Sequence, residues 1–199
     1  MNTKKPFDTY KQALLALLTA TVIVLQALAT YIPVYPFKLT LALVPIVIGA
    51  ALISPFAGAW LGFVFGVVVI IFSIITSDLS FMAFFYFSPL ATIFVILIKG
   101  TLAGFAAGWV YRLLEAKNKM AATFTAAVVC PVINTGIFIT GVYLFFIPLV
   151  NEWGATGAAE VASFVFIAMV GINFPIELCI NLVLSPTIVR LIKYGRNKR

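Results

Sequence analysis

From Tyr10 to Ile192 the chain is a succession of long apolar runs separated by prolines and short polar joints. About 20 apolar residues are enough to cross the hydrocarbon of a bilayer, and several such runs in a row leave the membrane as their natural solvent. The charge content points the same way: 10% of the 199 residues are charged and 63% are hydrophobic, where a soluble domain carries roughly 25% charged residues. Runs of this length are expected to be membrane helices. The expected fold is an all-α membrane protein, a bundle of about six transmembrane helices.

The length rule draws the spans at Tyr10 to Ile32, Leu39 to Ile53, Pro55 to Ile75, Pro89 to Leu114, Met120 to Ile147 and Val161 to Ile192. The second is short, reaching about 22 Å at 1.5 Å per residue, so it needs local bilayer thinning or help from its flanks. Proline marks the joints: Pro33 and Pro36 after the first span, Pro55 at the second turn, Pro89 opening the fourth span and Pro148 closing the fifth. Neither a low-complexity tract nor an internal repeat divides the chain, so residues 1–199 are expected to form one domain.

The formal charge of +7 sits in clusters beside the apolar runs, which reads as membrane orientation and not as a nucleic-acid surface. Lys4, Lys5 and Lys11 precede the first span, Arg112, Lys117 and Lys119 lie between the fourth and fifth, and Arg190, Lys193, Arg196, Lys198 and Arg199 follow the sixth. The opposite loops hold Lys38 as their basic residue, together with Asp78, Glu152 and Glu160. Both termini are therefore expected in the cytoplasm by the positive-inside rule. The start imitates a secretory leader, with Lys4 and Lys5 before an apolar stretch ending in Ala27-Leu28-Ala29. Because the chain begins at Met1, that stretch is expected to be the first membrane helix. Cys130 and Cys179 both fall inside apolar runs and are expected to be small buried hydrophobes. The absence of histidine excludes a histidine-ligated metal site and the commonest general base.

Small residues recur at four-residue spacing: Gly58, Gly62 and Gly66 in span three, Gly100, Gly104 and Gly108 in span four, Ala16 and Ala20 in span one. Such strips let helix backbones approach closely, and for the glycines ordinary packing within the bundle is the leading reading. More informative are the polar residues that lipid makes expensive. Asn173, Glu177 and Asn181 share one face of span six, and a charge at the centre of a membrane helix costs at least about 2.5 kcal/mol, so the face must turn inward. Lys99 in span four and Asn134 in span five pose the same problem.

Counted from the outer span ends at 1.5 Å per residue, Lys99 lies about 15 Å deep, Asn173 about 18 Å, Asn134 about 20 Å and Glu177 about 24 Å. They form one layer, which spans four to six could present to a cavity reached from outside. A buried Lys99 and Glu177 ion pair that only fixes helix register is the competing reading. Aromatic residues favour the cavity: Phe84, Phe85, Tyr86 and Phe87 crowd the loop before span four, and Phe138, Tyr143, Phe145 and Phe146 line the outer half of span five. Small-molecule pockets combine such walls with a few placed polar groups, although an interfacial belt would use the same residues. The expected substrate-binding set is Lys99, Asn134, Asn173, Glu177, Tyr86, Phe138 and Tyr143. A phosphate-binding loop of the form G-x-x-x-x-G-K-[ST] is missing, as are G-x-S-x-G and H-E-x-x-H, so no ATPase, hydrolase or metal-dependent enzyme is expected.

Several stretches together resemble the substrate-binding S component of energy-coupling factor (ECF) transporters. They are Ala16-x-x-x-Ala20, the proline-rich first loop leading to Lys38-Leu39-Thr40, Pro45 and Gly49, Ser54-Pro55-Phe56-Ala57-Gly58, Leu97-Ile98-Lys99-Gly100 and Pro131-Val132-Ile133-Asn134-Thr135. Each is loose alone, but their order and spacing cover nearly the whole chain. The resemblance implies a six-helix protein that captures a vitamin from outside and docks on a transmembrane coupling subunit carrying two ATPase subunits. ATP would be used by those partners, with no cofactor in this chain. Ala16 and Ala20 would meet the coupling subunit. Lys99-Gly100 and Asn134-Thr135 are most similar to the pantothenate-type members, whose carboxylate would suit Lys99 and whose amide and hydroxyls would suit Asn134 and Asn173. Glu177 fits less easily, since unpaired it would repel an anion: it could hold Lys99 or mark a different vitamin. A stand-alone secondary transporter of a small organic solute, coupled through Lys99 or Glu177, is the alternative.

Overall fold

A computed structural model describes residues 9–31, 40–171 and 173–197. Among these residues the chain is helical and contains no strand. The long helices are α1 (Thr9–Thr30), α3 (Pro55–Ile75), α5 (Pro89–Glu115) and α6 (Lys119–Phe145), with the short α2 (Leu43–Leu52) and α4 (Leu79–Phe87) between them. After α6 come α7 (Ile147–Glu152), α8 (Ala158–Ser163), a π-helical segment Phe164–Val170 and α9 (Asn173–Asn197). α1, α3, α5 and α6 are each long and apolar enough to cross a membrane, and Ala158–Val170 with Asn173–Leu184 form a further crossing if taken as one span bent by 47°.

The ends of these helices follow from their sequences. Ser54 accepts the N–H of Ala57 at 3.0 Å and Pro55 takes the first helical position of α3, where a missing N–H costs nothing. Asn118 caps α6 by accepting from Met120 and Ala121 at 2.9 and 3.1 Å. Between α3 and α4 the chain reverses at Ser77, with φ of 48°, and Asp78 then caps α4 by accepting the N–H of Phe81 at 2.9 Å. The segment expected as an aromatic loop before span four is thus a helix, because Asp78 supplies its start and Pro89 enforces a new one.

Three further expectations are corrected. The second span is helical only from Leu43 to Leu52; Leu39, like Ile32 and Lys38, lies outside the described residues. The sixth span is not continuous: α8 widens into a π-helical turn and stops at Gly171, where φ is +43° and a Cβ would meet the carbonyl oxygen of Ile167 at 2.7 Å. A residue with a side chain resists that conformation, so glycine permits the break. The fifth span ends at Phe145, and Pro148 lies inside α7 instead of closing α6.

The glycine strips do what close packing asks of them. α3 lies against α5, with Gly58 facing the carbonyl of Gly104 and Gly62 facing that of Gly100, so closely that a methyl group at either glycine would collide with the opposite backbone. α6 covers the other side of α5, and α9 packs on α6 and α2. Two apolar cores result. One gathers Leu43, Ile46, Leu61, Phe65 and Tyr111, the other Phe84, Val142, Phe146, Val150 and Val165, and the polar residues of the bundle lie between them. Cys130 belongs to the first core as expected, but Cys179 is exposed on α9.

Candidate functional site

Between the two cores lies a cavity of 160 Å³. On the same measure one water needs about 10–15 Å³, so the space suits a small organic molecule. Phe65 of the first core bounds it, and Phe84, Val95, Val142 and Phe146 of the second close the end nearest α4 and α7. Phe84 organises that end: its ring meets Phe146 edge-on at 4.8 Å and Trp153 at 5.7 Å between centroids.

Five of the expected site residues line this space: Lys99, Asn134, Phe138, Asn173 and Glu177. The Lys99 ammonium lies 5.3 Å from the centre of the Phe138 ring, close enough for a cation–π contact. Gly100, locked against Gly62, fixes the register of α5 next to this lysine. Glu177 is buried, and its carboxylate accepts the backbone N–H of Thr40 at 3.1 Å. The glutamate thus ties α9 to the chain entering α2 and has a partner other than Lys99. Asn181, one turn further along α9, is fully buried and donates to the Glu177 carbonyl at 2.8 Å, so it serves the helix and not the cavity.

Two expected residues stand elsewhere. Tyr86 is 79% exposed and Tyr143 40% exposed, and neither lines the cavity. Both belong to helix faces that look outward, where an aromatic belt would place tyrosine. Ala16 and Ala20 are exposed on α1, with no other part of the described chain covering them.

The cavity also reaches helices that the sequence reading left out. Gln26 and Thr30 of α1, Ser73 of α3, Asp78 and Thr40 line it along with the residues of α5, α6 and α9. Gln26 carries the signal that could have found it, since a carboxamide in an apolar membrane helix is costly for the same reason as Asn134. Several of these polar groups are engaged: the Thr30 hydroxyl donates to the Gln26 carbonyl, and that of Thr92 to Ser88, each at 2.9 Å. The side-chain oxygens of Gln26 and Asn134 are different. Both residues are 4% exposed, and neither oxygen has a hydrogen-bond partner among the described residues. The arrangement therefore offers one cation and two unsatisfied acceptors inside an aromatic and aliphatic wall, the makings of a site for a small anion that carries hydrogen-bond donors.

Comparison with known proteins gives two matches. The family model for "ECF transporter, substrate-specific component" matches residues 11–189. A curated protein of Lactococcus lactis subsp. cremoris (strain MG1363), the pantothenic acid transporter PanT, is 30% identical over 200 residues, covering 93% of this chain and 94% of its own length. No solved structure matches the chain.

Proposed function

The chain belongs to the family of substrate-specific components of ECF transporters, and on that premise we propose that it captures pantothenate at the outer face of the cell membrane. The observation that carries this reading is the set of Lys99, Gln26 and Asn134 lining one cavity. Pantothenate is a carboxylate with an amide and two hydroxyls. Its anion would sit at Lys99 and its donors at the two amide oxygens. The apolar walls from Val95, Val142 and Phe138 suit its branched aliphatic centre. The similarity to PanT supports the same substrate.

The break in the last span adds to the argument. α9 begins at Asn173 beside the cavity, and the N-terminus of a helix carries partial positive charge that favours an anionic group. The Thr40 N–H gives the Glu177 carboxylate a partner on the chain entering α2, which holds it in place beside the ligand space.

In this reading the bundle has six crossings, α2 being the short one and the bent pair the last, with both ends in the cytoplasm as the charge asymmetry requires. The protein holds its substrate in the membrane but supplies no energy. A transmembrane coupling subunit would dock on the exposed Ala16 and Ala20 face of α1, and two ATPase subunits would consume the ATP. Membership of this family favours a binding subunit over a stand-alone transporter.

Calorimetry of the purified full chain against a panel of vitamins tests the proposal. Saturable one-to-one binding of pantothenate, tighter than that of every other vitamin, is expected. Tighter binding of another vitamin would reassign the substrate, and no binding of any would remove the function.

A further inference from the structure

We propose that Gln26 of α1 is a specificity-determining contact, its amide oxygen accepting a hydrogen bond from a hydroxyl or amide N–H of the substrate. The inference rests on the proposed capture of pantothenate and adds a helix to the binding site. The cavity holds many polar side chains, but most have committed their hydrogen bonds. The Thr30 and Thr92 hydroxyls donate to carbonyls of their own helices. Asp78 caps α4, and Glu177 holds Thr40. Gln26 and Asn134 are not so engaged: each is buried, each lines the cavity, and each has a side-chain oxygen that no described residue satisfies.

A buried acceptor without a donor is a standing cost to the fold. It is also the means by which a site rejects ligands that lack the matching donor, since a binding partner must complete it or leave it unpaired. Because Gln26 and Asn134 come from different helices, together with Lys99 they fix three points on a ligand: one anion and two donors. Leucine in place of Gln26 would fill nearly the same volume while removing the acceptor.

The test compares the wild-type full chain with Gln26→Leu, in detergent, by ligand-free melting and by calorimetry with pantothenate and two analogues, each missing one hydroxyl. Gln26→Leu is expected to melt no lower than wild type and to bind pantothenate about threefold to tenfold more weakly, the range for one neutral hydrogen bond. For the substrate group that Gln26 contacts, whether the amide or one hydroxyl, the two losses should not add: if a hydroxyl, Gln26→Leu should bind that deoxy analogue as well as wild type does. Unchanged affinity for pantothenate would overturn the assignment, as would a lower melting point with equal losses for all three ligands, which would mark a purely structural residue. A wild type that binds no pantothenate would overturn both this inference and the function beneath it, an outcome distinct from the other two.

Discussion

Lys99 and Glu177 show how the membrane assigns roles to scarce charges. Each is too costly to face lipid, and the bundle turns both into one cavity, where the lysine meets the Phe138 ring and the glutamate meets the Thr40 N–H. If Glu177 works as a latch, its acceptor oxygen matters more than its charge. Glu177→Ala should lower stability by about 1.5–3 kcal/mol, the range for a hydrogen bond to a charged group, while Glu177→Gln, which keeps a neutral acceptor, should retain about half of that; melting of the two variants in detergent measures the difference. That Lys99, Asn134, Asn173 and Glu177 face one common space was legible in the sequence because helix rise converts position into distance. The placement of Tyr86 and Tyr143 was not, because an aromatic residue is equally at home in a pocket wall and at the headgroup level, and only packing decides which way its face turns. Gln26 escaped notice although the cost argument applied to it.

At the scale of elements, α3 and α5 form a rigid pair whose contact depends on the lack of side chains. Gly62→Ala drives a methyl group into the backbone of Gly100 and should destabilise the protein by about 1–3 kcal/mol or more, the cost of overpacking. Gly136 has nothing within 4 Å of a built Cβ, so Gly136→Ala should be neutral or stabilise by up to about 1 kcal/mol through helix propensity. Thermal melting of the pair provides an internal control. The glycine strips, Pro55 and Pro89 were readable because each acts through local rules. The helix at Leu79–Phe87 and the break at Gly171 were harder: the first is announced by Asp78 and Ser88-Pro89, but its apolar content resembles a loop pressed against the bundle, and a lone glycine in an apolar run signals a bend only once the flanking packing is known.

The whole molecule separates two surfaces, an interior cavity and the exposed small-residue face of α1. Association in lipid depends on close backbone packing, so bulk on that face should block docking without touching the cavity. Ala16→Trp is therefore expected to bind pantothenate normally and to abolish uptake by vesicles that also contain the coupling subunit and the ATPases. The central claim, that Lys99 selects an anion inside the membrane, is tested most directly by titrating wild type and Lys99→Met with pantothenate and with panthenol, the alcohol that replaces its carboxylate. Wild type should prefer the acid by about tenfold to a hundredfold, the value of a charge-assisted hydrogen bond, and Lys99→Met should show no preference. An undiminished preference for the acid in Lys99→Met would contradict the account.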